Sequence, residues 1–188
     1  MTRLAVWTAA LGASALGISV ARAQNMTLTS PDITEGGTIV NEQVLHGFGC
    51  TGGNVSPALS WSGAPSGTKS FAVNMYDPDA PTGSGFWHWV VFNIPPAITS
   101  LPKGAGDVKK KLMPKGAIQA RNDYGAFGYG GPCPPPGDKA HRYQITVFAV
   151  DVDKLPNAKN DAVSAALASF DLNSHTLAKA TLTGLYGR

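Results

Sequence analysis

The chain has 188 residues, of which 15 are basic, 12 acidic, 22 glycine and 14 proline, and only 14% are charged. So slight a positive excess argues against bulk nucleic-acid binding, which needs a basic surface. The abundance of glycine and proline argues against a helical bundle and for a loop-rich, β-rich chain.

The first segment reads as a targeting signal. Arg3 precedes an apolar run over residues 4–20, and Ala21-Arg22-Ala23 offers a small-x-small cleavage pattern. A Sec-type signal peptide over 1–23 is expected, with a single domain over 24–188 in the periplasm or outside the cell. Thr8, Ser14 and Ser19 interrupt the run, which is short for a span, so no transmembrane segment is expected after cleavage. One arginine ahead of the run excludes a twin-arginine signal. Without Arg3 and Arg22 the domain carries 13 basic against 12 acidic residues. Its length still suffices for a real core.

The elements follow in chain order. Residues 26–33 read as a short edge strand ended by Pro31. Thr38 to Leu45 is expected to be a strand. Gly47 to Ser56 is a glycine-rich loop holding Cys50. Ala58 to Trp61 is a short strand with Leu59 and Trp61 on one face. Lys69 to Tyr76 and Phe86 to Ile94 are strands, the second apolar enough to be buried on both faces. Pro95-Pro96 stops it, and residues 97–130 form a long surface excursion with a basic segment, Lys109-Lys110-Lys111 and Lys115. Residues 130–137, rich in proline and glycine, form a stiff loop. His141 to Val150 is a strand with Tyr143, Ile145, Val147 and Ala149 on one face. Asp161 to Phe170 is the one helix, capped by Asn160 or Asp161, with Val163, Ala166, Leu167 and Phe170 as its apolar stripe. A closing strand follows from Leu177 to Tyr186, placing Ala178, Ala180, Leu182, Gly184 and Tyr186 on one side. No repeat or linker divides the domain.

Cys50 and Cys133 are the two cysteines, and an oxidising compartment favours a bridge between them. The alternative is two buried thiols that never meet.

Polar residues gather where the strongest strands end. Asp77 and Asp79 follow the first strong strand, His88 sits within Phe86-Trp87-His88-Trp89, and His141 opens the third strong strand after the proline loop. Strand order permitting, these reach one end of a sheet. Two imidazoles and two carboxylates fit an anion pocket, a metal site of two His and one carboxylate, or an acid/base site. The absence of a short His pair argues against metal, and the absence of a nucleophile elbow argues against a serine nucleophile.

Three stretches resemble a known family. D-P-D-A-P at 77–81, F-W-H-W-V-V-F-N-I-P at 86–95 and G-P-C-P-P-P-G-D-K-A-H-R-Y at 131–143 are similar to the phosphatidylethanolamine-binding proteins, in their bacterial, Raf-kinase-inhibitor-like branch. Similarity continues through N-V-S-P-A-L-S-W at 54–61 and N-D-Y-G at 122–125. The resemblance implies a mostly β fold, an antiparallel β-sandwich with a short C-terminal helix and long surface loops. It also implies a small anion pocket lined by Asp77, His88, Pro134, Pro135, His141 and Tyr143, with Asp79 beside it. In the family the pocket accepts phosphate-like groups such as phosphorylethanolamine, and also acetate or cacodylate. An aspartate there either orients a histidine or meets the ammonium of a zwitterionic headgroup; orientation is favoured. Eukaryotic members carry an extra C-terminal helix that can gate the pocket, and such gating is not expected here.

Three functions compete. The first is an exported binding protein for phosphate, phosphorylethanolamine or a phospholipid headgroup, with no cofactor, no metal and no nucleic acid. The second is a protein-interaction module that inhibits a protease or kinase-like partner, with the 97–130 excursion as its surface. The third is an acid/base enzyme using His88 and His141. Binding rather than catalysis is the expectation.

Overall fold

Alternating and continuous apolar runs become strands, and three of them make the centre. In the computed structural model, which describes residues 25–188, Ser70–Asp77 (β5), Phe86–Ile94 (β6) and His141–Val150 (β9) lie side by side. The preceding elements are β1 (Thr27–Thr29), β2 (His46–Gly47), β3 (Cys50–Thr51) and β4 (Leu59–Ser62). β7 is Ser100–Leu101, β8 Ile118–Gln119, α1 Ala165–His175 and β10 Thr176–Tyr186. A five-stranded sheet has the order β10-β9-β5-β6-β8, and a three-stranded sheet the order β1-β4-β7. All pairings between these strands are antiparallel.

The two sheets close over the main core. Leu28, Leu59, Trp61 and Leu101 from the small sheet meet Phe71, Val73, Met75, Trp89, Val91, Ile145 and Val147 from the large one. On β9 the predicted face, Tyr143, Ile145, Val147 and Ala149, is fully buried. The other side of the large sheet, through Ala72, Val90, Phe92 and Val150, packs against Ala165, Ala168 and Leu172 of α1. β6 is therefore buried on both faces. The closing strand forms as expected, with Leu182 and Gly184 turned to the core. Among the described residues no helix is long and apolar enough to cross a membrane. The expected signal peptide over 1–23 lies outside the described residues.

Two local expectations are corrected. The helix starts later than the apolar pattern suggests, because Asn160 folds back on itself: its side chain accepts from the Ala162 amide. Ser164 is the true N-cap, accepting from the Leu167 amide at 3.2 Å. The buried face is then Ala165, Ala168, Asp171 and Leu172, while Leu167 and Phe170 are exposed, Phe170 by 63%. A buried aspartate anchors that face. Asp171 accepts from the Asn157 amide, the Asn157 side chain and the Ala158 amide, at 2.8, 2.6 and 3.1 Å. Its charge is thereby met by N–H groups, which a hydrophobic pattern does not register.

Residues 38–45 are not a strand. Thr38 makes one bridge to Leu185, and the chain then turns, with Gln43 and Val44 amides donating to the carbonyls of Val40 and Asn41. The turn drives Val44 and Leu45 into a small cluster with Cys50. There the Leu45 amide donates to the Pro132 carbonyl at 3.1 Å. The 97–130 excursion holds β7, β8 and a 3-10 turn at Val108–Lys110, and Leu101, Ala105, Ala120 and Tyr129 pin it to the body.

Cys50 and Cys133 are bonded, with Cα atoms 6.0 Å apart across 83 residues of sequence. The bridge ties the 46–51 hairpin to the proline loop. Removing it by a Cys50→Ser, Cys133→Ser double substitution is expected to cost about 2–4 kcal/mol. Guanidinium unfolding curves of the oxidised wild type and the variant measure this.

Candidate functional site

The strand order puts the sequence-predicted groups at one end of the large sheet. β5 lies between β9 and β6, so the last residue of β5, Asp77, sits between His141 and the Phe86 end of β6. Asp77, His88, Pro134, Pro135, His141 and Tyr143 all line one cavity of about 200 Å³. A single water needs only about 10–15 Å³ of such space, so the cavity has room for a small molecule. Tyr124, Phe86, Cys133 and the 80–82 turn complete the wall.

A register shift delivers His88. Met75 pairs with Trp89 and Tyr76 with Trp87, so His88 is the extra residue on β6. Such a bulge re-aims a side chain out of strand alternation. The ring then packs edge-on against Tyr143 and Tyr124, with centroids 5.1 and 5.5 Å away. Nδ1 lies 2.8 Å from the Gly130 carbonyl and 3.2 Å from that of Gly131. A carbonyl only accepts, so Nδ1 carries the proton and Nε2 is the other face of the ring. Burial pushes the His88 pKa below its ordinary value, against the opposing pull of the Gly130 carbonyl and the Asp77 charge.

Asp77 is almost fully buried. One carboxylate oxygen accepts from the Asp79 amide at 2.8 Å and the other from His141 Nδ1 at 2.7 Å. The aspartate thus orients a histidine and spends a lone pair on each of two donors. His141 Nε2 lies 3.4 Å from an Asp138 carboxylate oxygen. Tyr143 is fully buried, and among the described residues its hydroxyl has no hydrogen-bond partner. Burial, reinforced by the Asp77 charge, pushes its pKa up, so it stays an O–H donor at neutral pH.

The proline loop is the outer wall, and its position is over-determined. Tyr124 donates from its hydroxyl to the Gly131 carbonyl at 3.1 Å. The Asn54 side chain accepts from the Gly131 amide at 2.8 Å. Any Cβ at Gly131 would overlap the Gln43 carbonyl, so only glycine allows this close backbone approach. Arg188 donates to the Pro134 carbonyl at 2.7 Å and to the Gly49 carbonyl at 3.1 Å, joining the same two loops as the disulfide.

Asp79, grouped with Asp77 as a candidate ligand-binding residue, stands beside the cavity and not on its lining. It faces a neighbouring surface groove, where its carboxylate accepts from the Arg142 amide and from both Nε and a terminal nitrogen of the Arg142 guanidinium, at 2.7–2.9 Å. Pro78 turns the chain after Asp77, so strand alternation no longer sets the direction of Asp79. Phe86, Tyr124 and Arg188 were not singled out from sequence. Phe86 and Tyr124 stand in stretches that carried a family resemblance; nothing marks Arg188. Among the described residues no three His, Cys, Asp or Glu side chains converge as a metal site.

The comparisons with known proteins agree with this architecture. The family model described as phosphatidylethanolamine-binding protein matches residues 29–187. YbcL of Escherichia coli is 51% identical over 166 residues, covering 88% of this chain and 90% of YbcL. YbhB of Escherichia coli is 44% identical over 161 residues, covering 86% of this chain and 99% of YbhB. The crystal structure of YbcL, described as a new member of the mammalian PEBP family, superposes with a TM-score of 0.84 over 87% of this chain and 99% of its own.

The ion pair behind the cavity gives a test of its own. Hydrogen bonds from Arg142 pull the Asp79 pKa down to about 2, below its ordinary 3.8. A depressed carboxylate pKa contributes stability above the unfolded value and loses it as pH falls through the folded one. Asp79→Asn is therefore expected to lower Tm by a few degrees at pH 7. The gap to wild type should close between about pH 4 and pH 2. Thermal unfolding followed by circular dichroism across that range measures it.

Proposed function

The chain belongs to the phosphatidylethanolamine-binding protein family, and from that premise we propose that it is an exported binding protein whose cavity takes a small phosphate-like oxyanion, free or as a phospholipid headgroup. The carrying observation is the convergence of Asp77, His88, His141 and Tyr143 on the wall of one cavity, with the Tyr143 hydroxyl, buried behind that wall, left without a protein partner among the described residues. A buried unpaired hydroxyl costs about 1–3 kcal/mol, and an oxygen of a bound ligand offsets that cost. Around it the Asp77 carboxylate is already engaged by His141 Nδ1 and the Asp79 amide, which reduces its repulsion of an anion. The remaining wall is apolar, from Phe86, Pro81, Pro134 and Pro135, so the few polar contacts act in a low dielectric.

Isothermal titration with inorganic phosphate and with phosphorylethanolamine tests the reading. Tyr143→Phe removes the donor and nothing it bonds within the protein. The expected result is about tenfold weaker binding or more, the value of one hydrogen bond to a charged acceptor, with Tm unchanged or raised. Binding that survives unchanged in Tyr143→Phe removes the hydroxyl from the site. Wild-type protein that takes up neither ligand at millimolar concentration overturns the function.

A further inference from the structure

One aromatic side chain stands where turn chemistry disfavours it. β2 and β3 form a tight hairpin in which His46 faces Thr51 and Gly47 faces Cys50, so Phe48 and Gly49 are its two loop residues. Their φ angles are +52° and +81°. Two-residue hairpin loops with both φ angles positive are ordinarily filled by Asn-Gly, Asp-Gly or Gly-Gly. A bulky side chain at the first of these positions is strained, because its Cβ crowds the following carbonyl. Burial of the ring does not offset that strain, since Phe48 is 73% exposed. Strain kept at an exposed position points to function.

The place of the ring narrows which function. Its centroid lies 5.2 Å from that of Tyr124. Tyr124 packs edge-on against Phe86 at 4.6 Å, and Phe86 tilts against His88 at 5.1 Å. Tyr124, Phe86 and His88 line the cavity, so Phe48 extends the same run of rings one step outward. The Phe48 carbonyl lies 3.5 Å from Sγ of Cys133, another residue of the lining. Phe48 therefore stands beside the cavity wall where Tyr124 meets the proline loop. Its backbone is fixed there by the Cys50–Cys133 bond and by Arg188, which donates to the Phe48 and Gly49 carbonyls. The charged groups nearby are engaged. Arg188 is spent on carbonyls, and the Asp123 carboxylate accepts from the Trp87 amide. With Pro81, Pro134 and Pro135 also on the lining, the surroundings of the ring favour an apolar group over a charged one.

Resting on the oxyanion reading above, we propose that Phe48 is a specificity-determining residue: the ligand is a phosphate-like ester whose apolar substituent leaves the cavity past Tyr124 and lies against the Phe48 ring. The oxyanion end is held inside, beside His88 and His141, and the substituent covers apolar surface that the ring otherwise exposes to water. An ester of this kind has two sources. One is a free aryl or alkyl phosphate. The other is a phospholipid, whose headgroup phosphate continues into glycerol and acyl chains. The apolar group beside the phosphate is common to both.

The probes are phosphorylethanolamine, phenyl phosphate and monomeric dihexanoyl phosphatidylethanolamine, titrated calorimetrically into wild-type protein at pH 7.5. All three carry a phosphate ester, and only the last two carry an apolar substituent. At least one of these two is expected to bind about tenfold more tightly than phosphorylethanolamine, the value of one added apolar or aromatic contact. A gain for the lipid alone assigns the ligand to the phospholipids, a gain for phenyl phosphate alone assigns it to the free esters, and a gain for both supports the shared class. Phe48→Asn gives the turn a residue that it favours. This variant is expected to keep or raise Tm, to bind phosphorylethanolamine as the wild type does, and to lose the gain. A structural role alone would move Tm and leave the ratio of affinities in place. Equal affinity for the three probes overturns the proposal while the oxyanion site stands, and so does a gain that survives in Phe48→Asn. Absence of binding by every probe at millimolar concentration removes the oxyanion site and this proposal together. Phe48→Gly, which the turn also accepts, supplies the same comparison if Phe48→Asn fails to fold.

Discussion

The cavity depends on a two-point contact between His88 and Gly130. The imidazole Nδ1–H donates to the Gly130 carbonyl, and the Gly130 amide donates to the His88 carbonyl at 2.9 Å. A bulged residue of a buried strand and the start of a proline loop are thereby held as if they were neighbours in a sheet. The bulge is what frees the His88 backbone from its partner on β5, and the loop is what satisfies it. One side of the cavity is then a rigid strand and the other a rigid loop, with the ring between them fixed in a single tautomer. The tautomer leaves Nε2 as the ring nitrogen without a protein partner among the hydrogen bonds of the described residues.

The outer wall needs more than this contact, since polyproline segments carry few amide donors of their own. Its positioning comes from distant chain. The disulfide attaches Cys133 to the 46–51 hairpin, Arg188 clamps Pro134 to Gly49, and Asn54 and Tyr124 hold the backbone of Gly131. The braces are of different chemistry, a covalent bond, a guanidinium and neutral hydrogen bonds, so no single solution condition removes them all. Such redundancy holds the cavity in one shape: a wall that moved by an ångström would change the space between the proline loop, Tyr143 and His88.

How much of this was legible in the sequence follows from which forces leave a pattern. β5, β6, β9 and β10 were legible because burial imposes a period, and Tyr143, Ile145, Val147 and Ala149 show it without interruption. The helix was misplaced because its buried face turns on Asp171, whose burial is made tolerable by donors from residues 157 and 158. Residues 38–45 carry strand-like composition, yet they pair with β10 only at Thr38 before turning, and Leu45 then bonds to the proline loop. Within the site, Asp77, His88 and His141 could be gathered once the strand order was supplied, and a known family resemblance pointed to it. Asp79 could not be sorted from Asp77 by sequence, because the turn at Pro78 reverses the rule that alternate residues share a face. Arg188 acts through carbonyls at positions far away in sequence, and backbone carbonyls carry no sequence signature.

The relation between Asp77 and the two histidines has a consequence for charge. A carboxylate in a small apolar cavity would be expected to expel an anion. Here it instead divides the two imidazoles into different roles. His141 gives its proton to Asp77 and is held in place by it, so the carboxylate is satisfied within the protein. His88, which gives its proton to backbone carbonyls, has no such carboxylate partner, and burial keeps its ring neutral. The lining therefore holds one carboxylate with a hydrogen bond to each oxygen, one neutral imidazole and one hydroxyl without a protein partner among the described residues. With no lysine or arginine among the described residues that line the cavity, any recognition there would rest on matching donors to acceptors rather than on a fixed side-chain cation.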